Sequence, residues 1–248
     1  MAGFLGSGDL YYNRVVGGVS QGWFRFGNAT LFSIQENAEI KERISRQSAT
    51  YGQVLDSVSI KQPAEISVTL DDLDYKNLAL AFLGDSSSVN VTGATVTAEA
   101  VSAPAPGASF QTAQRKISSV TVTGTGGTPS YVEGTDFAVA NADLGLIQIL
   151  DGGSITAELA LEVNYTYASM TANKVTGGTD SSIKVALMMD GKNLADDSKV
   201  MVSVLEAVLT PQNGVDFLSE EFATLEMTGT LNTPSGAGSA YTVEMDIV

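Results

Sequence analysis

The sequence predicts an all-β protein with one short helix: a discontinuous sandwich or barrel domain interrupted by a smaller β-sandwich. Three observations carry this prediction. Val, Thr, Ser and Gly dominate the 248 residues, which hold only one Trp, eight Tyr and nine Phe, and that is the palette of pleated strands and tight turns. Polar and apolar residues alternate with period two in several runs, clearest over Glu65–Asp71, as in a half-buried strand. The texture shifts after Gly84 and returns from Thr179, as when a loop accepts an inserted domain. The division this predicts is 1–88 with 171–248 for the first domain and 89–170 for the insert.

Residues 1–21 are Gly-rich and weakly patterned, and read as an extended arm docked through Tyr11, Tyr12, Val15 and Val16. An aromatic strand (Gly22–Phe26), a Gly27-Asn28 turn and a second strand (Ala29–Glu36) then suggest a hairpin. Residues 37–52 break the strand texture and mix Glu39 and Glu42 with Lys41, Arg43 and Arg46. One reading is a solvated helical turn with Glu42 and Arg46 at i,i+4. The other is a protruding contact loop, favoured because connections this long in compact domains usually carry function.

Residues 54–71 read as two strands broken at Gln62-Pro63, the second with Ile66, Val68 and Leu70 opposite Glu65, Ser67, Thr69 and Asp71. Asp71-Asp72-Leu73-Asp74 leads into a short helix, Tyr75–Leu83, with Gly84 as its terminator. These aspartates suit a helix N-terminus, where carboxylates accept from free N–H groups. They do not follow the spacing of a calcium loop.

Residues 85–109, with Pro104 and Pro106, read as a linker or edge strand, and 117–167 as short strands separated by Gly, Asn and Asp turns. Beyond Thr179 the expected elements are a strand Ile183–Met189, a turn Asp190–Asn193 and a strand Lys199–Leu209. A loop Pro211–Phe217, a strand Phe222–Leu231 and a closing strand Tyr241–Val248 follow.

Composition narrows the chemistry. The chain has no Cys and no His, which removes disulfides, thiol nucleophiles, Cys/His zinc sites and His general bases together. A formal net charge of -15, from 28 acids against 13 bases, is the wrong footprint for gripping nucleic-acid phosphates. No P-loop or dinucleotide frame surrounds Lys192 or the glycines of Gly124–Thr128. A carboxylate pair of the glycosidase kind stays open, but one Trp poorly supplies a sugar-stacking cleft. The N-terminus lacks a basic-then-apolar signal pattern, and no apolar run is long enough to span a membrane. The expectation is that the chain is not an enzyme, with no cofactor and no metal.

The run Ala29–Gly84, ATLFSIQENAEIKERISRQSATYGQVLDSVSIKQPAEISVTLDDLDYKNLALAFLG, resembles the tube domain of bacteriophage tail tube proteins of the non-contractile, siphophage type. It holds two alternating strands around a charged loop, a third strand, an acidic helix start and an apolar helix, in that order. Tyr131–Phe137 and Val163–Tyr167 resemble an Ig-like insert found in phage tail and virion proteins.

The tube resemblance implies a virion protein, assembled in the host cytoplasm, whose copies close into hexameric rings stacked as a conduit for genome ejection. The insert would lie on the tube exterior. The implied partners are further copies of the chain and the tape measure, tail tip and tail terminator proteins, while DNA passes without specific binding. Ring stacking would use Glu39, Lys41, Glu42, Arg43 and Arg46. The lumen would be faced by Glu65, Ser67, Thr69 and Asp71, with Glu226, Thr228, Glu244 and Asp246 as second choices. The alternatives are an Ig-like adhesive module at a cell surface and the tube of a contractile injection system.

Overall fold

A computed structural model describes residues 3–245. The chain separates into two compact units, Met1–Ser87 with Lys174–Val248, and Ser88–Asn173. Among the described residues the regular structure is all strand apart from one short helix.

The first unit begins with β1 (Gly6–Val16), β2 (Val19–Arg25), β3 (Ala29–Ile44), β4 (Val54–Leu70) and α1 (Tyr75–Ala81). The chain then runs out along β5 (Asp85–Val91). It passes through β6 (Ala94–Ser102), β7 (Ser109–Gln111), β8 (Ile117–Gly124), β9 (Phe137–Asn141), β10 (Leu146–Ile149) and β11 (Ala160–Tyr167), and returns along β12 (Met170–Thr176), the partner of β5. β13 (Ile183–Asn193), β14 (Lys199–Pro211), β15 (Leu225–Asn232) and β16 (Tyr241–Met245) complete the first unit.

Its sheet is antiparallel in the order β2-β1-β13-β14-β15-β4-β3. β14 is flanked on one side by β13 along its length, and on the other by β16 over Val200–Val204 and β15 over Glu206–Pro211. Leu10 and Tyr12 of β1, Val185 and Leu187 of β13, and Ile66, Val68 and Leu70 of β4 feed one buried cluster. Strands from both ends of the order share a core, so the sheet curls upon itself.

Chain connectivity enforces this curl. β2 and β3 are consecutive, yet they occupy opposite ends of the sheet, joined by three residues, Phe26, Gly27 and Asn28. The expected hairpin across Gly27-Asn28 is therefore not made. β2 pairs with β1 and β3 with β4, and the turn is a crossover between edges. Gly27 takes φ +81°, a left-handed conformation that favours glycine, and a Cβ there would strike the Asp72 side chain.

Other expectations are corrected by pairing. The N-terminal stretch is no arm, because β1 lies between β2 and β13 with Leu10 and Tyr12 buried. β4 is one strand through Gln62-Pro63. Its register with β3 steps from Gln35↔Glu65 to Asn37↔Gln62, so Pro63 sits in a bulge, where a residue without an N–H is tolerated. β13 continues through Asp190–Asn193 because Gly6–Asp9 and Lys199–Met201 pair with it on either side.

The expected 37–52 loop is the largest change. β3 runs on to Ile44 against β4, with Ile40↔Ser59, Lys41↔Val58 and Arg43↔Asp56 in register. The result is a two-stranded hairpin that outruns the sheet, since β15 accompanies β4 only over Glu65–Leu70. Ser45, buried at the tip, donates its N–H to Gln53 O at 2.8 Å, and its hydroxyl meets Thr50 Oγ1 at 2.6 Å.

The helix starts where expected. Asp74 accepts from the N–H groups of Lys76 and Asn77 at 2.9 and 2.7 Å, satisfying donors with no intrahelical partner. Gly84 terminates it differently from expectation. Leu83, not Gly84, carries the positive φ (48°), while a Cβ on Gly84 would collide with the Thr176 carbonyl.

The second unit has two three-stranded antiparallel sheets, β6-β11-β8 and β7-β10-β9. Val122, Phe137, Ile147, Ile149, Leu161, Val163 and Tyr165 make its separate core. Burial, with help from the Glu99 carboxylate, pushes the Tyr165 hydroxyl up to about 12.

Candidate assembly interface

Alternation along β4 sends Ala64, Ile66, Val68 and Leu70 into the core and Glu65, Ser67 and Thr69 out of it. Neighbouring strands repeat this, so outward residues align in rows. One row crosses four strands as Thr210, Thr228, Ser67 and Ser33, all hydroxyls. The next is Val208, Thr230, Glu65 and Gln35. A third places Glu226 beside Thr69 and Leu31.

No base occupies these rows on the four strands. In register the first is Lys184 on β13, opposite Val208. Such a face offers phosphate no cation, and its carboxylates repel it. The face ends on β3, whose outer edge has no strand partner among the described residues. An unpaired edge presents a row of N–H and C=O groups to any strand that fits.

Of the expected lumen residues, Glu65, Ser67, Thr69, Glu226 and Thr228 come together here. Asp71 stands at the end of β4, where its two carboxylate oxygens accept from Asn28 Nδ2 at 2.7 and 2.9 Å. Glu244 is elsewhere: it lies opposite Met201, on the stretch of β14 flanked by β16. Asp246 lies outside the described residues. Ser33, Gln35, Thr210 and Thr230 belong to the face but were not singled out by sequence. Their own alternation was the available signal, and register was the missing one.

The hairpin is the second surface. Glu39 and Lys41 neighbour each other at 3.6 Å, with Gln62 Nε2 donating to Glu39 at 3.1 Å. Glu42 stands opposite Ser57, and Arg46 is in the tip. Among the described residues neither Arg43 nor Arg46 enters an ion pair. The hairpin also exposes Ile40, Ile44, Val54, Val58 and Ile60, which sequence reasoning passed over. Large apolar residues gathered on an element with no core behind it mark a contact surface.

Between β16 and β3 an apolar groove of about 580 Å³ is lined by Leu10, Phe32, Met189, Val202, Val243 and Met245. Tyr241 bridges the two strands, its hydroxyl donating to Glu36 Oε1 at 3.0 Å. That bond raises the Tyr241 hydroxyl above its ordinary value. Among the described residues no cluster of three or more acidic side chains is placed to hold a metal ion, and no helix is long and apolar enough to cross a membrane.

A family model described as Protein of unknown function UCP028589 matches residues 3–238. No curated protein matches the chain.

Proposed function

The chain belongs to the UCP028589 family, and we propose that it is a structural virion protein whose copies close into rings stacked as a phage tail tube, the conduit for genome ejection. The base-free rows that cross β14, β15, β4 and β3 and end on an unpaired edge carry this reading. Four strands cannot enclose a lumen. Four from each of six copies would make a barrel of about 24 strands, beyond the 16–18 at which porins already leave an aqueous channel. Pairing of the β3 edge with a neighbouring copy would also remove that exposed edge.

Within such a ring the hydroxyl rows would face passing DNA without holding it, and Glu65 and Glu226 would keep phosphates off the wall. The hairpin, with Lys41, Arg43 and Arg46, would reach the next ring. Tape measure, tail tip and terminator proteins are the partners this role requires. The separate core of the second unit favours another reading, an adhesive module, which requires a monomer.

Negative-stain electron microscopy and light scattering on the concentrated chain test the proposal. Rings or hollow tubes are the expected result. A monodisperse monomer at every concentration, with a tail-tip initiator added as well, overturns it in favour of the adhesive module.

A further inference from the structure

We propose that the loop between β14 and β15 is the receptor for the hairpin tip of a second copy; this rests on the stacked-ring reading. The loop, residues 212–224, is closed at its neck by one side chain. Asn213 Nδ2 donates to Thr224 O at 2.7 Å, and Asn213 Oδ1 accepts from Glu226 N–H at 2.9 Å. Such compact loops with adjoining ends are often functional. The expected strand start at Phe222 is not made, because β15 begins only at Leu225.

The loop is anchored but not buried. Val215 packs on the core, and the Phe217 ring lies 6.1 Å from that of Phe82. Leu218 and Phe222 are left 92% and 97% exposed. Around them stand Asp216, Glu220 and Glu221, with no base in the loop. The hairpin offers the complement: exposed Ile44, Tyr51 and Val54, with Arg43 and Arg46 free of ion pairs among the described residues. Apolar contact ringed by opposite charges is what a specific interface uses for both affinity and register.

Register fixes where the two surfaces lie. β4 runs from Val54, beside the hairpin tip, to Leu70, and Leu70 pairs with Leu225, the first residue after the loop. The strand spans about 50 Å, so tip and loop occupy opposite poles of one unit and cannot meet within a copy. Two different surfaces at opposite poles make a head-to-tail contact, which propagates instead of closing a pair.

Because the chain has no cysteine, single-cysteine variants give a clean test. Arg46→Cys and Glu220→Cys chains, mixed at concentrations where the wild type assembles, are treated with a short bifunctional thiol reagent. The expected product is a cross-linked dimer that requires both variants. Separately, R43E/R46E and E220K/E221K should each raise the half-assembly concentration about tenfold or more, and combining them in one chain should restore it. All four residues are exposed, and unchanged circular dichroism verifies folding. Wild-type tubes without the cross-link, or without rescue by the combined variant, overturn this receptor and leave the tube reading intact. A wild-type chain that does not assemble, together with cysteine variants that do not cross-link, overturns both.

Discussion

The side-chain amide of Asn77 donates to the backbone carbonyl of Phe26 at 2.9 Å, fastening the helix to the crossover between the two sheet edges. The same nitrogen donates to Asp72 O at 2.8 Å, and the residue is 2% exposed. Strand pairing cannot serve a carbonyl at a corner, so a helix side chain replaces it. Asn77→Leu removes both donors, at about 1–3 kcal/mol for the Phe26 carbonyl left buried and unpaired. Urea unfolding of the first unit should shift accordingly, and an unchanged midpoint would show that the amide is dispensable.

Reversing charge on the hairpin should separate assembly from folding. Lys41, Arg43 and Arg46 lie outside the core, so K41E/R43E/R46E should change stability by no more than about 0.5 kcal/mol per substitution. Assembly, followed by light scattering, should be lost. A triple variant that still forms tubes at wild-type concentrations would exclude the hairpin from stacking.

Gly84→Ala should destabilise the chain although its backbone conformation is ordinary. The added methyl meets the Thr176 carbonyl, and backbone on backbone leaves no rotamer by which to escape. Overpacking of this kind costs about 1–3 kcal/mol. Thermal denaturation is the check, and a wild-type Tm would mean that the β5 and β12 ends separate freely.

Asp136 predicts an acid limb for the second unit. Its carboxylate accepts from Ser154 N–H at 2.7 Å and Val132 N–H at 2.8 Å. These bonds hold the carboxyl below its ordinary value, which desolvation opposes. The folded value is the lower one, so the contribution is full above the ordinary range near 4 and fades as pH falls through the folded value. Asp136→Asn should therefore be less stable than wild type at pH 7, with the gap closing in acid. Melting both proteins from pH 7 to pH 2 measures this, and a constant gap refutes it.

Sequence revealed structure along β4, where one face meets a core. Ile66, Val68 and Leu70 against Glu65, Ser67 and Thr69 were readable because burial imposes that contrast, and Asp74 was readable because a cap is a local device. The hairpin was not, because both its faces lie in solvent and no polar–apolar contrast marks the alternation of Ile40 with Lys41. β1 was hidden by its glycines and by a partner, β13, that lies far along the chain. The site divided similarly. Glu65, Ser67 and Thr69 share a strand and were found together, whereas separating Glu226 from Glu244 requires the order of strands around β14, which no local pattern encodes.

The crossover at Gly27 also sets a timetable for synthesis. Both edge pairs, β1 with β2 and β3 with β4, leave the ribosome early, yet the strands that join them are β13, β14 and β15. Leu70 must wait for Leu225, a delay of about 8 to 30 seconds at 5–20 residues per second. The second unit pairs only within its own span and can finish folding during that wait. A nascent chain thus exposes its hairpin long before it owns the loop at the other pole, and under the stacked-ring proposal no copy could join a growing series until its last strands are made.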